Sequence, residues 1–553
     1  FSTIIEKNQT LGLDNGVNIF YLLNSSIDQN SLPYLDYFQL DYAKKLNFDE
    51  NYSFFSPIES QNVRFDFERK KPYDVFFWDI SDPTNVLDLY IDDSGFCNVP
   101  ISSDGVNQFT VFNINEISEI STVYQKDNQY FNQLRNSAIQ ANYIIIGPEE
   151  FKDASNDLLE IRSPSIYASL DIIYDEFSAG NSDPMAIRKF IQWSQEYWVD
   201  PAPNTVLLLG DGGYDYRNIT GYSSIVVPTI QVQSHRSYAT DDLLASIYGN
   251  IPEVALGRYP AKNIQDVSRF IEKIKTIENN PTFGPWRQKV TLIADDAARP
   301  EPTHGSIATG QSHTVNSEQI ADLIPLSVNV EKLYMMEYPE VSDASAYGVI
   351  KPEATEALFS SLENGTAIIS YIGHGSPFQL AQEKLLDLSR GDINQINTGK
   401  KLPLWIVGTC SFGWFDDPLN DSFAEELIKA DMNCASMVIS TTRAITVVGN
   451  ERYTKDLFES IFENGKISNK PVGLILQSIK DGTSESQYFH LFGDPGLKVP
   501  MPMDTLISLD VTPDTLRTLE KGTYFGQQLK LTGSGEGYVS LIDADREDRK
   551  STR

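Results

Sequence analysis

Two apolar runs in this chain end in residues able to do covalent chemistry. His374 closes one, in Tyr371-Ile-Gly-His-Gly-Ser-Pro, and Cys410 closes the other, in Leu404-Trp-Ile-Val-Gly-Thr-Cys-Ser-Phe-Gly-Trp-Phe. An imidazole within reach of a thiol takes its proton, and the thiolate is the nucleophile. Glycines on both sides of His374 permit close backbone approach and unusual dihedrals, which a merely structural histidine does not need. The two residues are 36 apart, room for the crossover of a dozen or more residues that joins neighbouring parallel strands. If those strands are neighbours, both side chains emerge at one sheet edge. The Gly375 and Cys410 amides are then candidates for an oxyanion hole, worth about 3–4 kcal/mol per donor. Cys434, in Asn433-Cys-Ala-Ser-Met-Val-Ile-Ser, fits an inert buried thiol. Of the other four histidines, His235 and His304 read as loop residues, and His490 as packed beside Phe489 and Phe492.

The elements that must position this pair begin near residue 131. Tyr143-Ile-Ile-Ile, Val206-Leu-Leu-Leu, Val290-Thr-Leu-Ile-Ala, Ala367-Ile-Ile-Ser-Tyr-Ile, Leu404-Trp-Ile-Val and Ala435-Ser-Met-Val-Ile are short unbroken apolar runs. Such runs suit strands buried on both faces of a parallel sheet. Amphipathic segments at 184–197, 264–279 and 317–323 alternate with them, which predicts an open α/β sheet with helices on both faces. Sites in such sheets lie beyond the carboxyl ends of the strands. There the chain places Asp211, Asp215, Asp241, Asp242, Asp295 and Asp296, read mainly as solvated turn acids and helix caps, with substrate-specificity residues or ligands of a structural calcium ion the alternatives. Ser422 and Glu425 read as a capping box opening a helix after Cys410. Residues 1–130 look β-rich, with strand-like Val17-Asn-Ile-Phe-Tyr-Leu-Leu, Tyr73-Asp-Val-Phe-Phe-Trp-Asp-Ile and Phe109-Thr-Val-Phe-Asn-Ile, so a sandwich of antiparallel strands is expected. Residues 504–553 read as the first strands of a small β-sandwich, short of the roughly 100 residues such a domain takes.

The totals narrow the field. The 553 residues carry 44 basic and 76 acidic side chains, a net charge of −32. That field repels phosphate backbones, which argues against a nucleic-acid partner. Three cysteines do not build a disulfide framework. No run of 18 or more apolar residues offers a membrane-spanning helix. The chain opens on Phe1 without a charged segment and long apolar core, so an exported enzyme would need a signal peptide upstream.

The order of these segments resembles the gingipain-type cysteine peptidases, relatives of the caspases with the same histidine-then-cysteine order. A strand ending in Tyr-x-Gly-His-Gly-Ser, a second ending in a small residue and Cys, and a Phe-Ala-Glu helix carry the likeness. Leu209-Gly-Asp-Gly-Gly-Tyr-Asp-Tyr-Arg-Asn, Tyr238-Ala-Thr-Asp-Asp, Ala255-Leu-Gly-Arg-Tyr-Pro-Ala and Phe492-Gly-Asp-Pro-Gly-Leu follow the family order, and the match spans residues 131–503. It implies a caspase-like fold, His374 and Cys410 as the catalytic pair, and no required cofactor. The sortase subgroup, with a β-rich region before the peptidase unit and an immunoglobulin-like segment after it, is the nearest in layout. It implies a bacterial surface enzyme of the outer membrane that removes C-terminal sorting domains from exported proteins. The acyl group would pass to a lipopolysaccharide amine, with other type IX secretion components as partners. A peptidase that only hydrolyses proteins and an inactive docking module are the alternatives. The chain departs from the family where secreted gingipains follow the nucleophile with Val-Asn-Gly; here Ser411-Phe-Gly stands. Some members orient the histidine with an acid. Glu337, Glu340 and Asp343 lie upstream of His374, with no spacing to choose among them, and His313 sits at a family-like interval with its role open.

Overall fold

The computed structural model describes residues 45–56, 62–100, 107–118, 132–219, 221, 226–233, 237–279, 281–296, 307–343, 348–502, 508–509 and 529–530. The chain divides into two compact units, residues 5–126 and residues 127–553 with the first four. In the smaller unit, strand Asn107–Asn113 lies between Tyr52–Ser56 and Val75–Asp79, all antiparallel, and Asn62–Asp66 pairs with Phe96–Pro100. Along Asn107–Asn113 burial alternates, Asn107, Phe109 and Val111 inward and Gln108 outward, the two-residue period of a half-buried strand. Phe65 of one sheet meets Phe77 and Phe109 of the other at ring distances of 5.6 and 4.9 Å, so an aromatic core joins the two sheets. Cys97 is buried in this core, and burial pushes its thiol up to about 11. The run at 17–23 lies outside the described residues. So does nearly all of 504–553, apart from a short antiparallel pairing of Ser508–Leu509 with Leu529–Lys530.

The larger unit is built on a ten-stranded sheet. In chain order its strands are β1 (Tyr143–Gly147), β2 (Ser165–Ser169), β3 (Thr205–Leu209), β4 (Ala255–Tyr259), β5 (Lys289–Ala294), β6 (Asn329–Tyr334), β7 (Ile368–Ile372), β8 (Leu404–Gly408), β9 (Met437–Thr441) and β10 (Phe489–Phe492). Their spatial order is 6-5-7-8-9-10-4-3-1-2. Alternate side chains feed two cores. Ile145, Leu207 and Leu209 pack with Phe270, Ile271 and Ile274 of helix Ile264–Asn279, whereas Ile144, Ile146, Val206 and Leu208 pack with Ile187, Phe190 and Ile191 of helix Pro184–Tyr197. Both faces are therefore covered, which is why these runs carry no polar alternation.

The expected open parallel sheet with helices on both faces is present, with one antiparallel junction that makes it mixed. Strands β5 to β9 form one parallel set and β1 to β4 another, but β10 runs antiparallel to β9 while pairing parallel with β4. The two sets thus point in opposite directions within one sheet. A fully buried strand looks the same whichever way it runs, so the apolar runs hold no information on direction. The seam is narrow: Arg258 opposite Phe492 is the single paired position between β4 and β10. Side chains reinforce it. Arg258, 1% exposed, makes two bonds to Asp241 (2.7 and 2.8 Å), donates to the Gly210 and Val227 carbonyls, and lies 5.0 Å from the Phe415 ring centre.

Candidate active site

Strands β7 and β8 are neighbours, paired from Ile368–Leu404 to Ile372–Gly408. His374 and Cys410 each lie two residues beyond that last pair, so the register brings them out of the sheet at the same level. The flanking glycines serve close approach rather than unusual dihedrals: neither Gly373 nor Gly375 has positive φ. A Cβ on Gly373 would lie 2.6 Å from the Tyr371 hydroxyl, and one on Gly375 would lie 2.6 Å from Thr409 Oγ1. The left-handed residue is Ser411, at φ 57°. It turns the chain just after Cys410, and its N–H donates to Arg443 O at 3.2 Å.

The backbone of His374 is held at both ends. Its N–H donates to Asp295 Oδ2 at 2.9 Å, and its carbonyl accepts from Tyr371 Oη at 2.6 Å and from Ala381 N at 2.9 Å. The ring makes no hydrogen bond among the described residues; Nε2 is shut off from solvent without a partner, while the residue as a whole stays partly exposed. Burial lowers the His374 pKa and the Asp296 carboxylate works the other way. Asp296 acts on this ring through its charge, without a hydrogen bond to it among the described residues. Cys410 is half-buried and free, with Sγ 3.9 Å from Ile445 O. Its N–H is unpaired among the described residues. The Gly375 N–H points out of the small hairpin it belongs to, because the adjacent His374–Ala381 position carries the bond and antiparallel ladders bond at alternate pairs.

The strand-end acids are not solvated turn residues. Asp211, Asp215, Asp241, Asp242 and Asp295 are all buried, and most are paired. Asp242 meets Lys480 at 2.7 Å, Asp296 pairs with Lys351, and Lys262 bridges Asp211 (3.3 Å) and Asp421 (2.8 Å). Sequence spacing hid these pairs because the partners are far apart in the chain. Ser422 and Glu425 do form the capping box of helix Phe423–Lys429, with Ser422 N donating to Glu425 Oε2 at 2.7 Å. Two acidic triads, Asp211–Asp421–Glu425 and Asp295–Asp296–Glu383, hold carboxylate oxygens within 4.8 Å of one another. Each triad already holds a lysine ammonium, Lys262 in the first and Lys351 in the second, so a cation entering either place would have to displace it.

Cys434 is buried, with its thiol pushed up to about 12 by burial. His490 is also structural: Nε2 accepts from Asp241 N at 3.0 Å, Nδ1 lies 3.1 Å from Tyr488 O, and the ring rests 5.2 Å from Phe415. His235 and His304 lie outside the described residues. Arg443 and Asp416 are a feature that sequence reasoning missed. Two bonds of 2.7 and 2.6 Å join them, Trp414 lies 4.7 Å from the guanidinium, and Gln231 donates to Asp416 at 3.0 Å. They clamp the turn that follows Cys410.

Burial, with further upward pushes from Glu383 and Asp296, raises the Asp295 carboxyl to about 8, against the His374 N–H that lowers it. A carboxyl raised in the folded state stabilises below its unfolded pKa of about 3.9, and that contribution is lost as pH rises through the folded value. The Asp295→Asn variant, whatever its offset at pH 6, is therefore expected to lose less stability than the parent between pH 6 and pH 8, by up to about 2 kcal/mol. Urea midpoints that move in parallel would refute this.

The profile of peptidase family C25 matches residues 136–500. No curated protein matches the chain. Among solved structures, the complex of Porphyromonas gingivalis RgpB pro- and mature domains shares 19% identity at a TM-score of 0.48, covering 65% of this chain and 79% of that one. Dimeric latent PorU from Porphyromonas gingivalis shares 16% identity at a TM-score of 0.45, covering 83% of this chain and 40% of that one. With 365 of its 553 residues inside the family profile, an α/β sheet beneath them, and a histidine and a free cysteine at the ends of paired strands, the chain belongs to peptidase family C25, the gingipain-type cysteine peptidases.

Proposed function

We propose that Cys410 is the nucleophile and His374 the general acid–base of this peptidase. The observation that carries the assignment is the in-register pairing of β7 with β8, which delivers both residues to one edge. The thiolate attacks the scissile carbonyl, and the oxyanion of the tetrahedral intermediate accepts hydrogen bonds from the Cys410 and Gly375 amides. Collapse expels the amine, protonated by His374, and leaves an acyl-enzyme. Water then releases an acid, or an amine takes the acyl group.

The physiological role that best suits the chain is that of a PorU-type sortase at the bacterial surface. It removes C-terminal sorting domains from exported proteins and passes the acyl group to a lipopolysaccharide amine, working beside other components of type IX secretion. Support comes from the order of the motifs across 131–503 and from the β-rich unit before them. Calcium, in this reading, has a structural role only.

Thiol labelling tests the site. Iodoacetamide is expected to modify Cys410 at least about tenfold faster at pH 7 than a thiol of the unfolded chain, since an imidazole partner raises the thiolate fraction, while Cys97 and Cys434 stay unlabelled. Equal rates for Cys410 in the folded and unfolded chain would rule the assignment out. For the sortase role, a cargo-derived polypeptide is incubated with the enzyme and glycine methyl ester. An amide adduct is the expected product; hydrolysis alone would leave a peptidase without transfer.

A further inference from the structure

His313 has no part in the mechanism so far, yet it lies against the histidine that does. It sits on helix Ile307–Leu323, is 4% exposed, and its Nδ1 is sealed from solvent with no hydrogen-bond partner. The His374 ring lies 5.2 Å away, centre to centre, at an interplanar angle of 80°, and its Nε2 is likewise sealed and unpartnered. Folded proteins rarely bury a polar atom without a partner. Here two are buried, on rings that touch. One proton shared between them would satisfy both, given a turn of either ring.

We propose that His313 is a positioning residue for His374. The inference rests on the peptidase reading of His374 and Cys410. The His374 Nε2–H donates to His313 Nδ1, whose own proton is on Nε2. This fixes the His374 tautomer so that Nδ1 carries the lone pair and turns it toward the cleft. The Cys410 S–H bond then breaks with its electron pair staying on sulfur, and the proton joins His374 Nδ1. The resulting imidazolium keeps its Nε2–H bond to His313. A carboxylate could do this work, but Asp296 is paired with Lys351, Asp295 is spent on the His374 and Asp296 amides, and neither bonds to the ring. Glu383, also near, makes no bond to either ring among the described residues. Burial and the neighbouring His374 lower the His313 pKa to about 4, which keeps it neutral and able to accept.

Three variants of the full chain separate positioning from packing. In His313→Asn the amide oxygen stands near the place of Nδ1. In His313→Gln it reaches instead to the place of Nε2, and His313→Phe keeps the ring without nitrogen. The readout is the pH dependence of Cys410 alkylation by iodoacetamide, with thermal midpoints measured alongside. At pH 6.5 the Phe and Gln variants are expected to label about tenfold more slowly than the parent, with the apparent thiol pKa raised, and Asn to recover most of the loss. Parent-like labelling in the Phe variant overturns the proposal. So does an Asn variant no better than Gln; this second comparison stands even if the Phe variant does not fold. A parent whose Cys410 labels no faster than an unfolded thiol sinks the peptidase reading itself, a different failure from the loss of His313's role alone.

Discussion

Cys410→Ala is expected to lower kcat/KM by about 10⁴-fold or more, His374→Ala to do nearly the same, and the double variant to lose no more than the worse single one. Nucleophile and base act as a unit, so once one is gone the other has nothing left to contribute. The structure predicts that the fold survives both changes. Cys410 Sγ has one weak contact, to Ile445 O. The bonds from Asp295, Tyr371 and Ala381 reach the His374 backbone, and alanine keeps these three, losing only the proposed ring contact with His313. Thermal midpoints close to the parent's, together with the loss of turnover on a protein substrate, would fit this account. Losses in the two single variants that multiply in the double would contradict it, because they would mean two independent contributions.

The second large effect concerns stability. Arg258→Met is expected to cost about 3–5 kcal/mol, since it leaves Asp241 buried without its cation. Burial alone would push the Asp241 carboxyl up, but the Arg258 guanidinium more than offsets it and holds the pKa below the usual carboxylate value. The Gly210 and Val227 carbonyls lose a donor as well. The sign of the pH dependence follows. In the parent, Asp241 has a depressed folded pKa, so its contribution is present at neutral pH and lost as pH falls through that value. In the variant, the unpaired carboxyl escapes its penalty by taking a proton. The gap between the two proteins should therefore narrow from pH 7 to pH 4, as read from urea midpoints. Adding Asp241→Leu to the variant removes the orphaned charge and should restore part of the loss. A double variant as unstable as Arg258→Met alone would show that the ion pair is not what matters there.

Much of the architecture is legible in the apolar runs. The strands at 143–147, 205–209, 289–294, 368–372 and 404–408 and the helices at 184–197 and 264–279 announce themselves by length and period, and His374 and Cys410 by their place at strand ends. Strands such as Ala255–Tyr259 and Phe489–Phe492 escape notice because Gly257, Arg258 and His490 interrupt their apolar pattern. The direction of the second strand set is invisible for a different reason: direction is a property of the connections, and no run of side chains encodes it. The partners of the acids were equally hidden. Asp416 finds Arg443 across 27 residues and Asp242 finds Lys480 across 238, separations at which charge spacing carries no signal. His313 lay in view as a residue, but its contact with His374 exists only once the helix is docked on the sheet.

The narrow seam between the two strand sets has a consequence for assembly. A long backbone ladder will zip onto any strand of matching length, in several registers, and sheet edges are therefore prone to pairing with the wrong neighbour. Here a single rung joins β4 to β10, and the rest of the join is a lock of unlike parts: Arg258 with Asp241 and Phe415, and Lys480 with Asp242. Such a lock closes in one arrangement only. The fold meets the hazard of a ten-stranded sheet by making its weakest backbone junction its most selective one.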